Sequence, residues 1–249
     1  RRPLVFFPPT DDAAAAQAHM DPPSHGGKTY YVDGVAGSNA NTGLSEAQAW
    51  KDFARVNGMT LGPGDALLLK RGSVFNQELM VSAQGTPDNW ARIGVYGEGP
   101  RPILRRNWDI GERCVLLTDP DYLRVSSLVV CYAGKGLIVN YSRSGHKGLL
   151  LEDCIAHHIE GLYRPNAHGI PEWLDRSGAR GDALSTSAGF GLSGAPGEGI
   201  VMRDCEMFQT SSGFFVMGDD IVLDRLYCHD NYVLNTSPHP FLVRIRRTY

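Results

Sequence analysis

Long apolar runs are missing from this chain of 249 residues. None approaches the roughly 20 residues that a membrane-spanning helix requires. An excess of basic charge is missing too. Lys and Arg number 24 against 27 Asp and Glu, so a net charge of −3 supplies none of the positive field on which nucleic-acid binding depends. The five cysteines, at 114, 131, 154, 205 and 228, are odd in number and include no Cys-x-x-Cys pair. They imply no disulfide framework and, with His157-His158 standing alone, no structural zinc site. Gly189-Phe190-Gly191 opens no helix after a strand, which removes a phosphate-binding loop, and there is no nucleophile elbow around a serine. Helix-forming runs are scarce after residue 60, whereas 29 glycines and 15 prolines suit a chain of many turns.

What is present is a repeat. In residues 199–231, Ile200 and Met202 alternate with Val201 and Arg203, Asp204-Cys205 interrupts, Met207 follows, and Gly213-Phe214-Phe215 opens another apolar run. The same frame fits residues 148–163, where Leu149, Leu151, Cys154, Ala156 and Gly161-Leu162 take the corresponding places. It fits again with Leu123, Val125, Leu128, Val130 and Gly136-Leu137, and with Ile221, Leu223, Leu226 and Cys228. Four units recurring at about 20 to 26 residues have a solenoid period. Apolar residues at every second position read as strands, and stacking buries a row that no single unit could bury alone. A β-sandwich shares the period of two. The common bend ahead of a glycine and an apolar residue favours the solenoid, and it predicts that Cys154 and Cys205 are buried, unbridged and stacked.

Taken in order, residues 1–28 read as a tail or as an extended segment packed along the solenoid. Leu4 to Phe7 is too short for the apolar part of a signal peptide. Residues 29–32 alternate as a strand. Ser45 with Gln48 reads as a capping box ahead of a helix over 46–57, with Trp50, Phe53 and Val56 on one face, placed to cover the open end of the first coil. Gly62-Pro63-Gly64-Asp65 then turns into an apolar strand at 66–69. The repeat makes 29–249 one domain, interrupted by a long insertion at 164–198. Phe241-Leu242-Val243 continues the strands nearly to Tyr249 with no carboxy-terminal cap, the pattern of a truncated chain or of one link in a self-assembly.

The runs YYVDGVAGSNANTGLSEAQAWKDF, GPGDALLLKRGSVF and ARIGVYGEGPRPIL, across residues 29–104, resemble the amino-terminal part of secreted right-handed parallel β-helix proteins of the pectate-lyase-like superfamily. That resemblance implies an all-β, right-handed parallel β-helix with an amino-terminal capping helix. It also implies a secreted or cell-surface location and a polysaccharide partner. It leaves the reaction open, since the superfamily holds lyases, glycoside hydrolases, epimerases and proteins without known activity. Its glycine-led strands would line the substrate groove, with Tyr163 and Phe215 pointing outward to stack on sugar rings or to pair for sheet stability.

Asp219-Asp220 follow that strand. Two adjacent carboxyl groups can divide acid and base roles, bind calcium, or form an ordinary Gly-Asp-Asp turn. The insertion carries Arg164, Trp173 and Asp182, a mixture suited to a sugar cleft. Arg164 could neutralise a uronate, and His158 could contact substrate from the far side of the groove. Gly145-His146-Lys147 and Arg244-Ile245-Arg246 depart from the Gly-His-Gly and Arg-Ile-Lys of polygalacturonases, so those roles do not transfer. Catalytic candidates are therefore Asp219, Asp220, Arg164 and Asp182, and substrate-binding candidates are Tyr163, Phe215, Trp173 and His158. The cofactor is left open, and Ca2+ is compatible with a lyase. Two functions fit: cleavage of a polysaccharide, by elimination or hydrolysis, or a non-catalytic glycan-binding, adhesin or surface-structural β-helix.

Overall fold

The computed structural model describes residues 21–108, 111–159, 188–194, 197–210 and 221–231, and the backbone alone at 163–165, 171–173, 212–216, 234–238 and 243–245. Three parallel sheets, visited in rotation, make a parallel β-helix. The first sheet holds Thr29–Val32, Ala66–Lys70, Ala91–Tyr96, Leu123–Ser126, Lys147–Glu152, Glu198–Arg203, Ile221–Asp224 and Val243–Ile245. The second holds Val74–Phe75, Ile103–Arg105, Val129–Ala133, Ile155–Ile159, Glu206–Thr210 and Tyr227–His229. The third holds Thr60–Leu61, Leu79–Ala83, Arg113–Thr118, Lys135–Tyr141, Ala188–Gly194, Ser212–Val216 and Leu234–Pro238. Among the described residues no helix is long and apolar enough to cross a membrane.

Strand register turns the sequence repeat into rows. Leu67, Ile93, Val125, Leu151, Met202 and Leu223 pair in succession along the first sheet, and all are buried. At the bend, the backbone N–H of the following residue bonds the preceding coil's carbonyl: Ile155 to Leu128, Glu206 to Cys154 and Tyr227 to Cys205, at 2.9 to 3.0 Å. Leu128, Cys154, Cys205 and Leu226 thus form one buried column, and both cysteines are unbridged, as the repeat predicts. The residue before each adopts a left-handed conformation, with φ of 61° at Ser127, 52° at Asp153, 53° at Asp204 and 49° at Arg225. Asp tolerates that region through its short polar side chain, which is why Asp-Cys marks the bend in two coils.

Two expectations change. Residues 46–57 do not form one helix. They make two 3-10 turns, Glu46–Gln48 and Phe53–Arg55, because Trp50 bridges to the first strand: its N–H bonds Tyr31 O at 2.9 Å, and its carbonyl accepts from Asp33 N at 2.8 Å. A residue committed to a strand cannot also close a helical ladder. Ser45 makes no side-chain cap, and Asp52 caps the second turn instead by accepting from Ala54 N at 2.9 Å. Trp50, Phe53 and Val56 are nonetheless buried, so the apolar face was read correctly and the helix was not. Secondly, the insertion is not continuous over 164–198, because Ala188–Gly194 is a third-sheet strand and the next first-sheet strand starts at Glu198. The described end of the amino-terminal segment, residues 21–28, is extended along the coils. Lys28 O accepts from Ala66 N, His25 exchanges two bonds with Asn89, and Asp21 lies 3.2 Å from Arg203 and 3.5 Å from Arg124.

Candidate functional site

The third sheet provides a floor between two corners. Leu79, Val81, Val115, Leu117, Leu137, Val139, Phe190 and Leu192 point into the coil and are buried. The alternate row, Met80, Leu116, Ile138 and Gly191 in register, therefore lies on the outer face. Met80 is 38% exposed, which makes this floor apolar where it is open.

The corner after the third sheet is acidic. His146 is only 3% exposed, held by Tyr141, whose ring stacks on it at 5.2 Å. Its Nδ1 is hydrogen-bonded to Asp121 Oδ2 at 3.1 Å. Its Nε2 lies 3.1 Å from Asp119 Oδ1, an ion-pair distance, but off the direction a hydrogen bond requires, so that buried nitrogen has no aligned partner among the described residues. Asp119 also accepts from the Ser142 N–H and hydroxyl, both at 2.6 Å, and Asp121 accepts from Lys147 N at 2.8 Å. Burial alone would raise the Asp119 pKa. The Ser142 bonds, with His146 and Arg143 nearby, overcome that and hold it below the usual carboxylate value. Lys147 pairs with Glu198 of the next coil at 3.2 Å.

The corner before the third sheet is aromatic. Trp108, Tyr132 and His158 have φ of 63°, 54° and 52°, and their rings touch: Trp108 to Tyr132 at 4.8 Å, Tyr132 to His158 at 5.0 Å, Trp108 to His158 at 5.8 Å. Beside them on the second sheet, His157, Phe208 and His229 stack nearly parallel at 5.1 and 5.2 Å. Here the rings cover one another's faces, so this row is paired for sheet stability and offers only edges outward. Burial, with His158 beside it, pushes the His157 pKa down. The Asp230 hydrogen bond, opposed by partial burial and helped by Glu206, pushes the His229 pKa up.

The predicted site residues are placed unevenly. Asp219, Asp220 and Asp182 lie outside the described residues. Phe215 is in the third sheet as expected, but its partner in the preceding coil is Gly191, not Tyr163. Tyr163 instead pairs antiparallel with Trp173, and Arg164 with Glu172, in a hairpin of Tyr163–Pro165 and Pro171–Trp173. The expected stacking of Tyr163 on Phe215 is therefore corrected, because Ala188–Gly194 occupies the coil position given to Tyr163. His158 lies in the second-sheet strand Ile155–Ile159. Sequence reasoning passed over Asp119, Asp121 and Trp108; the recurrence of corner positions once per coil is the signal that would have found them. Among the described residues no group of three or more His, Cys, Asp or Glu is arranged to hold a metal ion.

No family model matches the chain. The lacto-N-biosidase of Bifidobacterium longum subsp. longum is 32% identical over 130 residues, which is 42% of this chain and 8% of the relative. The crystal structure of the native GH136 lacto-N-biosidase from Eubacterium ramulus superposes with a TM-score of 0.56 at 25% identity, covering 83% of this chain and 41% of that one. Its selenomethionine derivative gives 0.53 at 18% identity, covering 89% and 52%. The chain is thus similar in sequence to one lacto-N-biosidase and in fold to another, while spanning 8% of the first and 41% of the second.

Proposed function

We propose that this chain is a carbohydrate-active β-helix that hydrolyses glycosidic bonds in the manner of a lacto-N-biosidase, with its glycan lying across the outer face of the third sheet. The observation that carries this reading is the 32% identity over 130 residues with the Bifidobacterium longum enzyme. Hydrolysis needs two carboxyl groups flanking the bond, one to protonate the leaving oxygen and one to activate water or attack directly. Asp219 and Asp220 take those roles. In sequence they follow Ser212–Val216 as Asp119 and Asp121 follow Arg113–Thr118. Asp119 and Asp121 are already committed to His146, Ser142 and Lys147. Arg164, Asp182 and Trp173, from the segment that precedes Ala188–Gly194 in sequence, contribute to holding the sugar. A right-handed coil follows the general rule for crossovers between parallel strands. Export from the cell belongs to the same reading, because a polymeric glycan is met outside it.

Incubation with a lacto-N-bioside bearing a chromogenic leaving group tests the proposal. Release of the chromophore supports hydrolysis. Unsaturated products from a uronate polymer, detected by ultraviolet absorbance, would replace it with elimination, and binding without any product would replace it with a non-catalytic role.

A further inference from the structure

A left-handed corner residue is ordinarily Gly, Asn or Asp, since a bulky side chain there is a backbone outlier. Here two large aromatic residues and a histidine hold that conformation on one corner, with φ of 63° at Trp108, 54° at Tyr132 and 52° at His158. Burial does not explain the largest of them, because Trp108 is 46% exposed. Trp108 packs on Tyr132 and His158 and still leaves nearly half of its surface open, so packing accounts for only part of the strain, and the open ring points to a use of its own. The surroundings specify which. Trp108 is anchored by its N–H to Tyr132 O at 3.0 Å, and its ring is steadied by Tyr132 and His158. Exposed Asn107 adjoins it. Glu112 is oriented by Arg106 Nη2 at 2.7 Å and by Asn107 N at 3.3 Å, so acceptors and donors border the indole. An apolar ring face with a hydrogen-bonding rim complements a pyranose, whose C–H face is apolar and whose edge carries hydroxyls.

We propose that the Trp108–Tyr132–His158 corner is a sugar-binding subsite, which takes a neutral pyranose of the glycan on the indole face and its hydroxyls on Asn107 and Glu112. This deepens the reading of the third sheet as the glycan floor and rests on it, since the corner forms the edge opposite Asp119 and Asp121. The subsite binds and does not react.

The test compares wild type with Trp108→Asn, which removes the ring and tolerates the same φ, and with Trp108→Tyr, which keeps an aromatic face. The probe is a tetrasaccharide with a terminal lacto-N-biose unit, followed by steady-state turnover and by equilibrium titration. Trp108→Asn is expected to weaken the probe about tenfold, as higher KM with unchanged kcat, while Trp108→Tyr retains most of the affinity. Wild-type affinity in Trp108→Asn overturns the subsite. So does unchanged affinity with a lowered melting temperature, which would mean that the indole packs on its own chain. A wild type that binds the probe through Trp108 without cleaving it would sink the hydrolase reading and leave the subsite standing.

Discussion

Leu151→Ala probes the inward rows on which the coil depends. Leu151 is fully buried, paired with Val125 in the preceding coil and Met202 in the next. Removing three carbons forfeits about 2.4 kcal/mol of transfer free energy at about 0.8 kcal/mol per methylene. A cavity penalty adds to this, because the neighbours sit on a backbone ladder with a spacing of about 4.8 Å and cannot close around the gap. The sum falls at about 3 to 5 kcal/mol, within the range for such truncations. At about 2 to 4 °C per kcal/mol for a chain of this size, the melting temperature should fall by about 6 to 20 °C. Leu116→Ala is the control, since Leu116 is on the outer row of the third sheet and half-buried; it should cost under about 1 kcal/mol. Urea unfolding measures both, with the midpoint reporting stability and an unchanged slope showing the same unfolding reaction. If Leu151→Ala cost no more than Leu116→Ala, the assignment of inward and outward rows would be refuted.

The thiols supply a second test: burial pushes Cys114 up to about 12, Cys131 and Cys228 up to about 11, and Cys205 above the ordinary value. The native protein at neutral pH should therefore resist a thiol reagent, and denaturation should release all five groups. In a proton NMR titration, His229 should titrate above, and His157 below, the ordinary histidine value near 6.5. The raised value at His229 adds stability below about pH 6.5 that is lost as pH rises through the folded pKa, whereas the lowered value at His157 adds stability above about 6.5 that is lost as pH falls. Asp230→Asn should bring His229 back toward 6.5 and leave His157 unmoved. On the first sheet, the Glu152 carboxylate is bonded by Arg124 and by Arg203 at 2.5 and 2.8 Å, with Glu152 and Arg203 nearly enclosed and Arg124 partly exposed. Glu152→Gln should destabilise by about 3 to 5 kcal/mol in the same urea assay by leaving two guanidinium groups facing each other, and a loss under about 1 kcal/mol would contradict that buried network.

The repeat was legible because each coil repeats two constraints that sequence records directly: alternation of apolar residues, and a left-handed bend where Asp is tolerated. Leu123, Leu149, Ile200 and Ile221 fell into their true column for that reason. The strand Ala188–Gly194 was not legible. Its AGFGLSG contains only Phe190 and Leu192 as large inward residues, and its glycines read as loop until pairing with Leu137 and Val139 is known. That omission moved Tyr163 into the wrong coil. The helix over 46–57 failed for a different reason, since the capping signature was local whereas the competing bridge from Trp50 to the first strand was not. Of the site, Trp108 and the Asp119–His146–Asp121 cluster were not legible, because residues some 25 positions apart become neighbours only when coils stack.

The proposed cleavage by Asp219 and Asp220 is tested most directly by chromophore release from a lacto-N-bioside in wild type, Asp219→Asn and Asp220→Asn. Wild type should release it steadily. Each variant should melt as wild type does and lose roughly a hundredfold or more in turnover, as the loss of a group worth several kcal/mol of barrier requires. A double variant that melts normally and cleaves at the wild-type rate would contradict the assignment.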